Sequence, residues 1–138
     1  APGWGKTTLL RDLIRERARE KTVGVIDERG ELFPDGFDTG NRTDILRGCR
    51  KPEGLELVLR TMGPDCIAVD EITASDDCTG LIRAAGCGVT LLATAHAASL
   101  EEFHSRVIYQ TLMQKKIFHW ILMMNPHKQF TAERVASI

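Results

Sequence analysis

A-P-G-W-G-K-T-T, residues Ala1 to Thr8, is G-x-x-x-x-G-K-[ST] without its leading glycine, and its reading decides the fold. Gly3 and Gly5 let the backbone curl so that its N–H groups face phosphate oxygens, and a helix starting at Lys6 would aim its positive end at the same anions. Pro2, Gly3, Trp4, Gly5, Lys6, Thr7 and Thr8 are therefore the predicted nucleotide-binding residues. Lys6 would reach the β and γ phosphates and Thr7 would offer its hydroxyl to Mg²⁺, so ATP and Mg²⁺ are the expected cofactors.

Working outward, Leu9, Leu10, Leu13, Ile14 and Ala18 recur at helical spacing, which predicts an amphipathic helix from Lys6 to about Glu20. Thr22 to Asp27 reads as a short strand, and the Gly- and Pro-bearing stretch after it reads as more than twenty residues of loop. Pro52 opens a second predicted helix, which Gly63-Pro64 ends. Cys66 to Val69 lacks alternation, as expected of a strand buried on both faces, and runs into Asp70-Glu71. A third helix carries Cys78, Leu81, Ile82 and Ala85 to about Gly86. Val89 to Thr94 is another buried strand. Ser99 with Glu102 caps a fourth helix, with a break predicted around Ser105 before the pattern resumes to Lys116. Ile117 to Met124 reads as a strand and Phe130 to Ile138 as its antiparallel partner. Strands alternating with helices predict an α/β fold with a mainly parallel sheet, helices on both faces and antiparallel strands at the C-terminus, in one domain over residues 1–138.

A second acidic motif completes the chemistry. Asp70-Glu71 follows a buried strand, where acidic side chains stand at the carboxyl end of the sheet beside the phosphate loop. Asp70 would hold Mg²⁺ through water and Glu71 would polarise the attacking water, a tandem that favours hydrolysis over a kinase reaction. The plainer reading is that both cap the helix near Ser75. His96, in L-A-T-A-H-A past the next strand, is placed to bond the γ phosphate or the water, with Thr94 as a second polar probe. His104, His119 and His127 carry no spacing that implies chemistry.

Composition bounds the rest. The 138 residues carry 18 basic and 19 acidic side chains, a net charge of −1, so no general positive field favours nucleic acid or an anionic membrane. The longest apolar stretch, Ile117 to Met124, is interrupted by His119 and is far short of the ~20 residues of a membrane span. No leader is expected, and a cytoplasmic site follows by default. Cys49, Cys66, Cys78 and Cys87 lack metal or redox spacing and read as reduced thiols.

Together, A-P-G-W-G-K-T-T-L-L-R-D, V-I-D-E-R-G-E, N-R-T-D-I-L-R-G-C, L-R-T-M-G-P-D-C-I-A-V-D-E-I and L-A-T-A-H-A-A-S-L-E-E resemble the stage III sporulation protein AA family, relatives of the type II and type IV secretion ATPases with a RecA-like P-loop core. The resemblance runs from Ala1 to about Tyr109. It implies that Asp27, Glu28 and Glu31 match an acidic box facing the nucleotide, which adds Glu28 to Glu71 and His96 as a catalytic candidate. It also implies that an arginine from a neighbouring subunit completes each site, with Arg29, Arg42 and Arg60 as candidates. It implies a hexameric ring peripheral to the membrane on its mother-cell side, facing the forespore, with membrane-bound sporulation channel proteins as partners.

Two features depart from the family pattern. The strand before the phosphate loop and the N-terminal domain of the family are absent from the sequence, so the expectation is a fragment, or a chain whose earlier residues lie outside this sequence. That strand would lie between Val89–Thr94 and Ile117–Met124. Three outcomes are then expected: these two strands close on one another, a second chain pairs along the exposed edge, or the strand belongs to the protein outside residues 1–138. A RecA-like ATPase acting on single-stranded nucleic acid is the alternative function, against which the neutral charge and 6% aromatic content argue. A small-molecule kinase and a nucleotide-binding scaffold without turnover are further alternatives.

Overall fold

The computed structural model describes residues 5–33, 43–127 and 129–135. Helix α1 (Lys6–Arg17) leads to β1 (Val23–Asp27), β2 (Thr43–Arg47), α2 (Lys51–Thr61), β3 (Cys66–Val69) and α3 (Ser75–Gly86). Strand β4 (Thr90–Ala93), α4 (Leu100–Ser105), α5 (Val107–Gln114), β5 (Trp120–Met124) and β6 (Phe130–Arg134) follow. Four strands form a parallel sheet in the order β2-β1-β3-β4, and β5 pairs antiparallel with β6 in a second, two-stranded sheet. This is the expected α/β architecture.

Side-chain alternation along β1 and β3 divides the core in two. Val23, Val25, Cys66 and Ala68 pack with Leu10, Ile14 and Ala18 of α1 on one face. Ile26, Ile67 and Val69 pack with Leu55 and Val58 of α2, Leu81 and Ala84 of α3, and Leu112 of α5 on the other. Helices thus cover both faces, which is why these strands read as continuous apolar runs. Close approach requires glycine at Gly24, where a Cβ would lie 2.6 Å from Val58 Cγ1.

Three expectations are corrected, and one alternative for the missing strand is ruled out; the first correction is β4, read as a buried strand but only half-buried. Residues 43–47 of the stretch read as loop form β2, an edge strand whose only apolar residues are Ile45 and Leu46. Its outward residues are polar because one edge of a sheet faces solvent, and this hides the strand from a search for apolar runs. Strand β5 begins at Trp120 instead of Ile117. Among the described residues, β4 is the edge of its sheet and β5 pairs with β6 alone, so the two strands flanking the expected gap do not close on each other. Asn125 makes the local pairing easy: its side-chain oxygen accepts from His127 N at 2.9 Å and Gln129 N at 3.0 Å, which shapes the hairpin turn.

The Ser99 hydroxyl accepts from Glu102 N at 3.1 Å, and the Glu102 carboxylate reaches back to Ala98 N at 2.7 Å, one residue before the cap. The break before α5 falls at Arg106, in extended backbone. No helix among the described residues is long and apolar enough to cross a membrane.

Candidate functional site

Parallel pairing brings the carboxyl ends of β1, β3 and β4 to one edge, which Lys6 at the start of α1 reaches through the Ala95 carbonyl. Gly5, the N-cap of α1, has φ 89°, a left-handed conformation that glycine adopts without steric cost. Lys6 turns toward β4, and its Nζ donates to the Ala95 carbonyl at 3.1 Å. Thr7 is half-buried in the first helical turn, and Thr8 is exposed. Pro2, Gly3 and Trp4 lie outside the described residues.

Thr94 is the node of the site. Its hydroxyl donates to Asp70 Oδ1 at 2.9 Å and accepts from Glu71 N at 2.7 Å, while its carbonyl accepts from Ile72 N at 2.8 Å. These bonds hold Glu71 at φ +44°, a left-handed backbone costing roughly 1–2 kcal/mol outside glycine. Such strain persists only where surrounding bonds over-determine it, and it collects at functional sites. Neither acid caps α3, because Asp77 does: its Oδ2 accepts from Thr73 N at 3.0 Å and Ala74 N at 3.1 Å. The plainer reading of Asp70-Glu71 therefore fails.

Burial pushes the Asp70 carboxyl above its usual range, the Thr94 hydroxyl pulls it down, and the charges of Asp27, Glu71 and Glu31 push it up again. A cation beside Asp70 would relieve that cost. The donors fit Mg²⁺, which prefers hard oxygens and takes one or two carboxylates with substrate phosphates instead of an all-protein cage. Among the described residues, no three or more His, Cys, Asp or Glu converge as a metal site.

Glu71 Oε2 lies 3.4 Å from Arg29, one of the arginines expected to act across a subunit boundary. Both are partly solvated, so the pair contributes little stability. Asp27 is fully buried, and its carboxylate accepts from the backbone N–H groups of Glu31, Leu32 and Phe33 at 3.0 to 3.1 Å. It shapes the turn after β1. Glu28, next in sequence, lines a cavity of about 10 Å³ with Arg29, Lys51, Asp70 and Glu71. Of His96, the backbone is held: its carbonyl accepts from Tyr109 Oη at 3.4 Å and Arg106 at 3.2 Å. Arg60 is exposed in the last turn of α2, and Arg42 lies outside the described residues.

Sequence reasoning missed Tyr109 and Lys51. Tyr109 reads as one more apolar position of a helix, and Lys51 as a surface charge before Pro52. Cys66, buried, has its thiol pushed up to about 11 by burial, and burial raises Cys78 too, so neither is a reactive thiolate.

The family model described as "Sporulation stage III, protein AA" matches residues 1–136. Stage III sporulation protein AA of Bacillus subtilis (strain 168) is 34% identical over an alignment of 139 residues, covering 92% of this chain and 45% of that protein. The chain thus spans under half the length of that relative. Among solved structures, the VirB11 ATPase of the Brucella suis type IV secretion system, in complex with sulphate, superposes with a TM-score of 0.65 at 18% identity, over 98% of this chain and 45% of that one. The Legionella pneumophila ATPase DotB superposes with a TM-score of 0.61 at 19% identity, over 97% and 42%. At those identities the likeness shows a shared fold.

Proposed function

The chain belongs to the stage III sporulation protein AA family, and from that premise we propose that it binds ATP with Mg²⁺ and hydrolyses it as the core of a secretion-type motor. The observation that carries this reading is the Thr94 node, which holds the Asp70 carboxylate and a strained Glu71 at the sheet edge that Lys6 of α1 reaches.

Backbone N–H groups from Gly3 to Thr8 and the positive end of α1 bind the phosphates, with Pro2 shaping the loop before them. Lys6 exchanges the Ala95 carbonyl for phosphate oxygens. Thr7 and Asp70, the latter through water, would hold Mg²⁺, which would supply charge neutralisation for the phosphates. Glu71 takes the proton of the attacking water, and release from Arg29 frees its carboxylate to do so. Glu28 and His96 flank the reacting phosphate. Asp27, committed to three backbone amides, keeps Glu28 aimed inward instead of reacting itself.

A ring of six copies, each site completed by a neighbour's arginine, is the assembly this reading requires. It would sit peripheral to the membrane facing the forespore, on the mother-cell side, and power or assemble a channel of membrane-bound sporulation proteins.

The test is ATP hydrolysis by the intact protein over a range of protein concentrations, with light scattering, with and without single-stranded DNA. Turnover per mole should rise with assembly, because a trans arginine contributes about 10³- to 10⁵-fold in related nucleotide hydrolases. Flat turnover from a monomer would sink the ring. Stimulation by single-stranded DNA would favour the nucleic-acid alternative.

A further inference from the structure

Lys51 is the first residue of α2, and its side chain is only 4% exposed. Lysine is almost never buried without a paired anion, and a cation at a helix N-terminus also opposes the helix dipole. Stability alone does not recommend the placement. Two acids offset it: Lys51 Nζ lies 2.9 Å from Glu28 Oε2 and 3.7 Å from Asp77 Oδ2. That Asp77 oxygen is itself fixed by Thr73 N, Ala74 N and, at 3.3 Å, Thr73 Oγ1. The ammonium therefore joins the turn after β1 to the start of α3, the helix that follows Asp70-Glu71. It also lines the small cavity with Glu28, Arg29, Asp70 and Glu71, a space with room for about one water.

We infer that Lys51 is a positioning residue for hydrolysis: anchored to α3 through Asp77, it holds Glu28 against the cavity that Asp70 and Glu71 share. The role rests on the ATPase reading above and adds to it a buried cation acting through Glu28. A lysine that merely stapled α2 to α3 would need only Asp77, yet its shorter contact is to Glu28.

The test uses the intact protein with Mg²⁺ and ATP. Lys51→Met and Lys51→Gln remove the charge while keeping a long side chain, and circular dichroism checks their folding. In folded variants kcat should fall about 10- to 100-fold, the size of effect that a small misplacement produces, with KM for ATP within about threefold of the parent. Lys51→Arg should recover most of the kcat. On a Glu28→Gln background, losing Lys51 should cost less than about twofold more, because the group it positions is gone.

Parental kcat in a folded Lys51→Met or Lys51→Gln protein would overturn the role. So would an undiminished loss on the Glu28→Gln background, which makes Lys51 a staple, or parental kcat in Glu28→Gln itself. Each of these leaves ATP hydrolysis standing, whereas an inactive parent removes the functional reading first and the role of Lys51 with it. Should an unpaired Glu28 keep the single variants from folding, the Glu28→Gln/Lys51→Met protein removes both partners of the pair. Its kcat set against Glu28→Gln alone then decides: equality supports the role, a drop of tenfold or so overturns it.

Discussion

At the start of β3, the exposed Asp65 carboxylate accepts from Thr22 N and Thr22 Oγ1, each at 3.0 Å, and its own N–H donates to the same hydroxyl at 3.0 Å. At the end of β3, Asp70 has one hydroxyl partner, Thr94, and three acidic neighbours. The backbone and side chain of Thr22 hold Asp65 below its ordinary range, with Lys21 and Arg17 helping, whereas burial drives Asp70 above it. One threonine stabilises a charge at one end, and another holds a costly charge in place at the other. Groups that the chain satisfies by itself build the fold, and groups left wanting a cation mark where a ligand belongs. The strained Glu71 and the buried Lys51 lie at that second end.

The largest effect expected is on catalysis. Glu71→Gln in the intact protein should keep ATP binding and lose about 10²- to 10⁴-fold in turnover, because the base goes and the phosphate contacts stay. Lys6→Ala should lose binding as well, and a Glu71→Gln protein with half the parental rate would break the assignment. Next comes the node: Thr94→Val keeps the shape of the side chain but severs the bonds to Asp70 and Glu71 N, and should lower kcat by roughly 10- to 100-fold. A Thr94→Val protein with unchanged kcat and raised KM would restrict Thr94 to binding.

The smallest effects contrast the two aspartates in metal- and nucleotide-free protein. Asp65 has a lowered folded-state pKa, so its stabilisation is complete above pH 3.8 and fades as pH falls through the lowered value. Asp70 has a raised one, so its ionisation weakens the fold, beginning near pH 3.8 and growing as pH rises through the raised value. At neutral pH, Asp65→Asn should lower the thermal midpoint and Asp70→Asn should raise it, each by a few degrees at most. Both differences should close on acidification, and midpoints that move in the same direction would erase the contrast.

Much of this was legible in the chain. The runs T-V-G-V-I-D, C-I-A-V and V-T-L-L-A-T declare strands, the third of them half-buried at a sheet edge instead of buried, and Gly63-Pro64 and Ser99 with Glu102 mark helix ends, because periodicity and capping are set within a few residues. Strand β2 was not, since T-D-I-L-R shows only two apolar residues and gains its ladder from β1. The start of β5 was misplaced by three residues because Ile117 and Phe118 pack on the core without joining a ladder.

The sequence by itself determined the α/β order and put forward the candidate phosphate-binding residues and the acidic pair after β3, all of them short motifs whose physical requirements are local. The tertiary structure alone decided which side chains meet: Thr94 with Asp70 and Glu71, Arg29 with Glu71, and Lys51 with Glu28 and Asp77. These partners stand 23 to 42 residues apart, as with Lys51 and Glu28 at 23 and Arg29 and Glu71 at 42. Whether a lysine is solvated or buried against two carboxylates depends on which segments the parallel crossovers fold over it, and no local pattern encodes that.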